Sequence, residues 1–314
     1  MSGYLTITAL MIALNVASIL LIAPLLDGIE RKVRARVQRR VGPPILQTWY
    51  DLTKLYGRVF TRDLSAGPFH AVAPLMMFGA SVVAAAVIPS FLPASLDFQG
   101  DLVVAVYVLV SISAIASFGA ASSSIPFSVV GGWREASLMM ASEFVLGAAV
   151  AALAASSGSL LLTSMMPAFK PSNPKVSALI ALAGLAVMTY VEGSRLPFEI
   201  AEAEPELAGG ISVGYGGSSL ALLLHSLIIK KALFAALFLD LLVPWNALKA
   251  VIAPYPAYLV GRAALFLTAL VVVAVVCSSL EAVFGRSRPG HALSLLKKAV
   301  IISGVALIAA CFGI

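Results

Sequence analysis

The stretch "YLTITALMIALNVASILLIAPLLDGIERKVRARVQRR", residues 4–40, decides the fold. From Tyr4 to Leu26 it carries no charged side chain, and about 20 such residues suffice to cross the hydrocarbon of a bilayer. The run is too long for the apolar core of a signal peptide. Its positive charges follow it instead of preceding it, so it reads as a retained first span. Nine lysines and arginines then crowd into residues 27–67. Basic loops stay on the cytoplasmic side, which places the N-terminus outside.

The rest of the chain agrees. It is 60% hydrophobic and 11% charged over 314 residues, with a mean hydropathy of +0.99. Soluble domains carry roughly a quarter of their residues charged, so a soluble globular protein is excluded. Eight apolar segments recur, at about 4–26, 69–92, 102–124, 137–156, 176–191, 213–243, 257–283 and 293–313. The sixth is long for one crossing and is expected to be tilted or broken. With alternating loops, fifteen Lys and Arg fall on the side of 27–67 and four on the other. The expectation is an all-α polytopic membrane protein forming one transmembrane domain over 1–314. A cytoplasmic basic loop spans 27–67, a cytoplasmic acidic loop spans 192–212, and the location is the plasma membrane. Cys277 and Cys311 form no CxxC, and His70, His225 and His291 are scattered, so no metal or redox centre is expected in the chain itself.

The basic loop has internal order. "IERKVRARVQRRVGPPILQTWYDLTKLYGRVF" begins with a helical pattern, turns at Gly42-Pro43-Pro44, and resumes with Leu46, Trp49, Tyr50, Leu52, Leu55 and Tyr56. The second half fits an amphipathic helix lying at the interface. An anchor to anionic lipid accounts for the basic charge. Gln47, Asp51 and Lys54 share one helical face, and that face suits a protein partner.

A second charged stretch, "VEGSRLPFEIAEAEPELAGG" at 191–210, holds Glu192, Glu199, Glu202, Glu204 and Glu206, a third of all 15 acidic residues. On helical backbone, 192, 195, 199, 202 and 206 share one face, although Pro197 interrupts ideal helix and Gly209-Gly210 ends it. Carboxyls crowded in a partly buried site cannot all ionise, and those forced to hold protons near neutral pH can pass them on. The alternative is a solvated loop neutralised by the basic segment. Glu143 lies inside the fourth span with Glu135 two turns earlier, and Lys230 and Lys231 lie deep in the sixth. Intramembrane charges of this kind mark ion pathways, unless the lysines snorkel to an interface.

"ERKVRARVQRRVGP" with "QTWYDLTKL", "WREASLMMASEF" and "EGSRLPFEIAEAEPELAGG" together resemble the H subunit of respiratory complex I and its relatives in membrane-bound [NiFe] hydrogenases. The resemblance covers nearly the whole chain. The family's acidic loop carries Asn and Asp where Ser194 and Glu199 stand here, which leaves its charge intact. Quinone-reducing members have a longer turn after the Gly-Pro. The short run from Pro43 to Gln47 is similar to the hydrogen-evolving branch. The resemblance implies a coupling subunit of an energy-converting hydrogenase that translocates H⁺ or Na⁺. The [NiFe] centre and iron–sulfur clusters would sit in peripheral large and small subunits, with antiporter-like membrane subunits beside the chain. It assigns ion relay to Glu135, Glu143, Glu192, Glu199, Glu202, Glu204, Glu206, Lys230 and Lys231. Docking of the peripheral arm falls to Arg31, Arg34, Arg36, Gln38, Arg39, Arg40, Gly42, Pro43, Gln47, Asp51, Lys54, Arg134 and Arg195. Quinone-reducing and sulfur-reducing relatives, and a stand-alone cation/proton antiporter, are the alternatives. The bilayer is the remaining partner, and no nucleic acid is expected.

Overall fold

A computed structural model describes residues 2–60, 63, 65–93, 96, 98–162, 175–245 and 255–313. The long elements among them are α1 (Ser2–Val37), α2 (Gln47–Tyr56), α3 (Pro68–Val87), α4 (Asp101–Ala121), α5 (Pro126–Ser157), α6 (Val176–Val191), α7 (Gly217–Leu242), α8 (Tyr255–Val283) and α9 (Pro289–Cys311). Each expected apolar segment is helical. Seven of these helices are long and apolar enough to cross a membrane. The remaining apolar one, α6, has 16 residues, or about 24 Å against a hydrocarbon core of about 30 Å.

The boundaries depart from the hydropathy pattern for local reasons. α1 runs beyond Leu26 to Val37, and Arg34 and Arg36 in its last turn suit the negative end of the helix dipole. α5 opens at Pro126, well before residue 137, because proline is favourable at a first helical position that needs no N–H donor. The sixth segment is one unbroken helix of 26 residues that starts later than the hydropathy suggests. A 3₁₀ turn at Gly210–Gly214 precedes α7, and Gly217 at φ +58° makes the corner.

Helix α7 lies at the centre. About 67% of its most apolar window is buried, against 22% for α8 and α9, which leaves the latter two facing outward. It packs against α1, α2, α3, α6 and α8, while α5 packs against α4, α6 and α9. The amphipathic helix forms as α2 and lays Thr48 and Leu52 against the bundle. Reaching it, the chain passes directly over α1: a Cβ at Gly28 would stand 1.8 Å from the carbonyl oxygen of Ile45. Only glycine allows that crossing. The chain between α1 and α3, the acidic segment and the α8–α9 junction meet at one end of the bundle. Arg195 pairs there with Glu30, Arg286 with Glu199, and Ser287 donates to the Pro197 carbonyl.

Candidate functional site: a charged cavity beside the central helix

The acidic segment is not the helix that its 3-4 spacing invites. After α6 it turns through Ser194 at φ +49°, makes one helical turn at Glu204–Leu207, and turns again through Gly209 and Gly210 at φ +107° and +55°. Pro197 denies the helix a donor, and the loop folds over itself: a Cβ at Gly210 would stand 1.8 Å from the Ala201 carbonyl oxygen. The shared face of 192, 195, 199, 202 and 206 therefore does not form. Glu192, Glu199 and Glu202 turn into a cavity. Glu206 stays outside, 2.7 Å from Arg134. The side chain of Glu204 lies outside the described residues.

The cavity holds about 430 Å³, and 11 of its 19 lining residues are charged. Five are cations (Arg31, Arg34, Arg195, Lys230 and Lys231), and six are acids (Asp27, Asp51, Glu192, Glu199, Glu202 and Glu281). A space so lined holds water readily, and near-balance of sign lets one added or lost proton matter.

Two arms lead from it. In the first, Lys230 is almost wholly enclosed (side chain 2% exposed) with Nζ 2.8 Å from Glu192. Its ammonium also donates to the Ser113 hydroxyl, which reaches Glu135, and the Ser142 hydroxyl donates to Glu192. The short helix α6 explains the meeting. It ends before reaching the level of its neighbours, so Glu192 sits beside the fourteenth residue of α7. Glu202 stands at the head of this arm. Burial, then the charges of Glu135 and Glu199, push its pKa up to about 7, with Lys230 and Lys231 pulling the other way.

The second arm begins at Lys231, turned about 100° round α7 from Lys230. Its Nζ contacts Glu30 and lies 3.4 Å from Asp27. Glu30 is held by Arg195 at 2.6 Å, and Asp27 by Arg31 at 2.8 Å and by the Thr48 hydroxyl at 2.9 Å. Arg34 pairs with Glu281 at 2.8 Å. Both lysines are thus paired inside the protein and do not snorkel.

These contacts redraw the docking set. Arg195 is 3% exposed and is enclosed by the protein, whereas Arg34 lines the cavity with its side chain 32% exposed. Each neutralises a carboxylate that could not be buried alone. Arg31 and Asp51 sit at the cavity rim, 3.7 Å apart, and Gln47 donates to Asp51 at 2.9 Å. Arg36, Gln38, Arg39, Arg40 and Lys54 are exposed around the Gly42-Pro43 turn. Glu143 is not brought to the relay. It is exposed and lines a separate, mostly apolar groove with Tyr107 and Gly147. Eight residues of helix rotate it about 80° from Glu135.

Asp27, Glu30, Thr48, Glu281, Ser113 and Ser142 were not singled out in the sequence. Glu281 was findable, since it is a lone acid in an apolar segment, by the rule that flagged Glu143. Asp27 and Glu30 stand four residues before Arg31 and Arg34, a spacing for helical ion pairs masked by the basic run that follows. Two serine hydroxyls among many give no signal until α4, α5 and α6 are assembled. Among the described residues no three His, Cys, Asp or Glu side chains group as metal ligands.

Known proteins share this architecture. Hydrogenase-4 component C of Escherichia coli (strain K12) is 32% identical over 247 residues, covering 78% of this chain and 77% of that protein. Formate hydrogenlyase subunit 4 of the same organism is 32% identical over 235 residues, or 73% and 75% of the two chains. NADH-quinone oxidoreductase subunit 8 of Rhodothermus marinus is 31% identical over 232 residues, or 67% and 65%. A chain of the membrane-bound sulfane sulfur reductase, an archaeal respiratory membrane complex, superposes with a TM-score of 0.84 over 96% of this chain and 99% of its own. At 22% identity that likeness establishes the fold. The NADH dehydrogenase family model matches residues 9–312. This chain belongs to the NADH dehydrogenase family, whose relatives here include membrane subunits of hydrogenase and respiratory complexes.

Proposed function

We propose that the chain is the membrane anchor and coupling subunit of an energy-converting hydrogenase, linking electron transfer in a docked peripheral arm to ion translocation. The observation that carries this is the run of paired ionisable groups from the acidic loop to Lys230, alongside a cavity that a neighbouring charge can bias. The arm docks on the exposed residues Arg36, Gln38, Arg39 and Arg40 and on α2. Nickel and iron–sulfur chemistry belongs to that arm, and antiporter-like subunits lie beside the chain in the membrane. The basic end faces the cytoplasm of a plasma membrane.

The chain's own part is to hold and move protons. A change of charge at the arm alters the fraction of Glu202 that is protonated, since Glu202 titrates near the working pH. Glu135, Glu192 and Lys230 feel the change through their shared contacts with Ser113 and Ser142. The hydrogenase branch is favoured over a quinone-reducing one by the short turn after Pro43. The density of charge in the cavity supports the same choice, since a hydrophobic quinone is better held by apolar walls.

Glu192→Gln tests the proposal, because it keeps the shape and removes the charge paired with Lys230. Hydrogen production from an artificial donor should persist in the assembled complex, while ion movement into sealed vesicles falls. Unchanged translocation, or equal loss of both activities through disassembly, would overturn the coupling role.

A further inference from the structure

Pro24 interrupts α1 from within. Having no N–H, it leaves the carbonyl of Leu20, one turn earlier, without its backbone donor. That carbonyl is taken by a side chain from another helix: His225 Nε2 lies 3.2 Å from it. The other ring nitrogen, Nδ1, lies 3.0 Å from the hydroxyl of Tyr56, the last residue of α2. A carbonyl can only accept, so Nε2 carries the hydrogen. In the neutral ring Nδ1 then accepts from Tyr56. The adjacent carbonyl of Leu21 accepts from Trp49 Nε1 at 3.2 Å. Trp49, Tyr56 and Phe78 enclose the imidazole at centroid distances of 6.0, 6.2 and 5.6 Å.

We infer that His225 is a positioning residue that seats α2 on the bundle, using the carbonyl that Pro24 exposes. The arithmetic of α2 supports this. Ten residues are too few for a stable helix on its own, and only Thr48 and Leu52 are buried. Its place therefore depends on a few polar anchors: Thr48 to Asp27 at one end, Trp49 to Leu21, and Tyr56 to His225 at the other. His225 precedes Lys230 and Lys231 by about one and a half turns on α7. A displacement of α2 is thus delivered to the helix that carries both lysines, and α2 is also a wall of the cavity through Thr48, Asp51, Leu52 and Leu55. Among the described residues the groups facing His225 are aromatic or backbone, and Tyr56 is the one titratable side chain of these. The ring is thus set for holding, with the relay groups beginning beyond it.

The consequence for docking rests on the proposed role of α2, so the test reads the two separately. In the chain carrying Cys277→Ser and Cys311→Ser, which removes both native thiols, Leu52→Cys provides a thiol that is buried while α2 is seated. His225→Phe keeps the aromatic contacts and removes both bonds, and it should speed maleimide labelling of that thiol about tenfold, the equivalent of one buried hydrogen bond. His225→Gln restores a donor and an acceptor without the ring, and labelling should return to within about twofold of the parent. Equal labelling of parent and His225→Phe, or equal acceleration by Phe and Gln, would overturn the inference. Should His225→Phe not fold, Tyr56→Phe deletes the hydroxyl alone and must raise labelling similarly; parental labelling there would also overturn it. Retention of the peripheral arm is then measured on washed membranes of the same variants. Labelling as expected with the arm fully retained leaves the latch standing and removes docking from α2.

Discussion

Glu202→Gln offers a test whose magnitude can be worked from the structure. The pKa of the partly buried Glu202 carboxyl is pushed up to about 7 from the ordinary 4.5, chiefly by desolvation and secondly by the charges of Glu135 and Glu199. Its folded-state pKa is raised, so the folded protein favours the protonated form. No penalty exists below about pH 4.5; it grows between pH 4.5 and 7 and is constant above. At 1.36 kcal/mol per pH unit, the ionised form costs about 3 kcal/mol of stability at pH 8. Glutamine cannot ionise. The variant should therefore gain on the parent by about 2.5 kcal/mol between pH 5, where about 0.8 kcal/mol of the penalty is already present, and pH 8, whatever constant offset the amide introduces. Thermal unfolding of the detergent-purified complex at both pH values measures this, and a shift of several degrees is expected. A difference between parent and variant that is the same at pH 5 and pH 8 would show that Glu202 does not titrate near neutrality. Its place at the head of the relay would then fail.

Two contrasts test the sorting of charges into inner and outer sets. Arg195→Ala leaves Glu30 buried beside Lys231 alone and should cost about 3–5 kcal/mol, whereas Glu206→Gln breaks an exposed pair and should cost less than about 1 kcal/mol. Thermal stability of the two variants decides, and the reverse order would refute the assignment. Replacing Arg36, Arg39 and Arg40 together by Ala should leave the chain inserted but release peripheral subunits from washed membranes; full retention would reduce this segment to a lipid anchor.

Hydropathy located each apolar helix among the described residues, though not its ends, because burial in lipid demands long apolar runs whatever their tertiary neighbours. The same rule that flags a charge within a span finds Lys230, Lys231 and Glu143, with Glu135 as a neighbour two turns earlier, but it does not say which way a side chain points. Glu135 and Glu143 read alike in sequence and face different surroundings in the fold. The resemblance gives Arg195 to docking, while in the fold its loop dips among the helices and carries it inside. The pairing of Asp27 and Glu30 with Lys231 gives no signal in the sequence because Lys231 is some two hundred residues away. Contacts of that range are set by packing and leave no periodic trace.

The brevity of α6 has an electrical consequence. Its end admits the charged cavity to the level of Lys230, the fourteenth of the 26 residues of α7. Beyond that point twelve residues of α7 remain, about 18 Å of low-permittivity protein. A water-bearing cavity is nearly equipotential with the solution it meets, so a transmembrane voltage falls mainly across those 18 Å and not across the full hydrocarbon thickness of about 30 Å. The field there is correspondingly steeper. A unit charge crossing this shorter insulator exchanges the whole 2.3 kcal/mol per 100 mV, while one moving within the cavity exchanges almost none. Charge that moves within the cavity therefore does almost no electrical work, and that work is confined to the far half of the bundle.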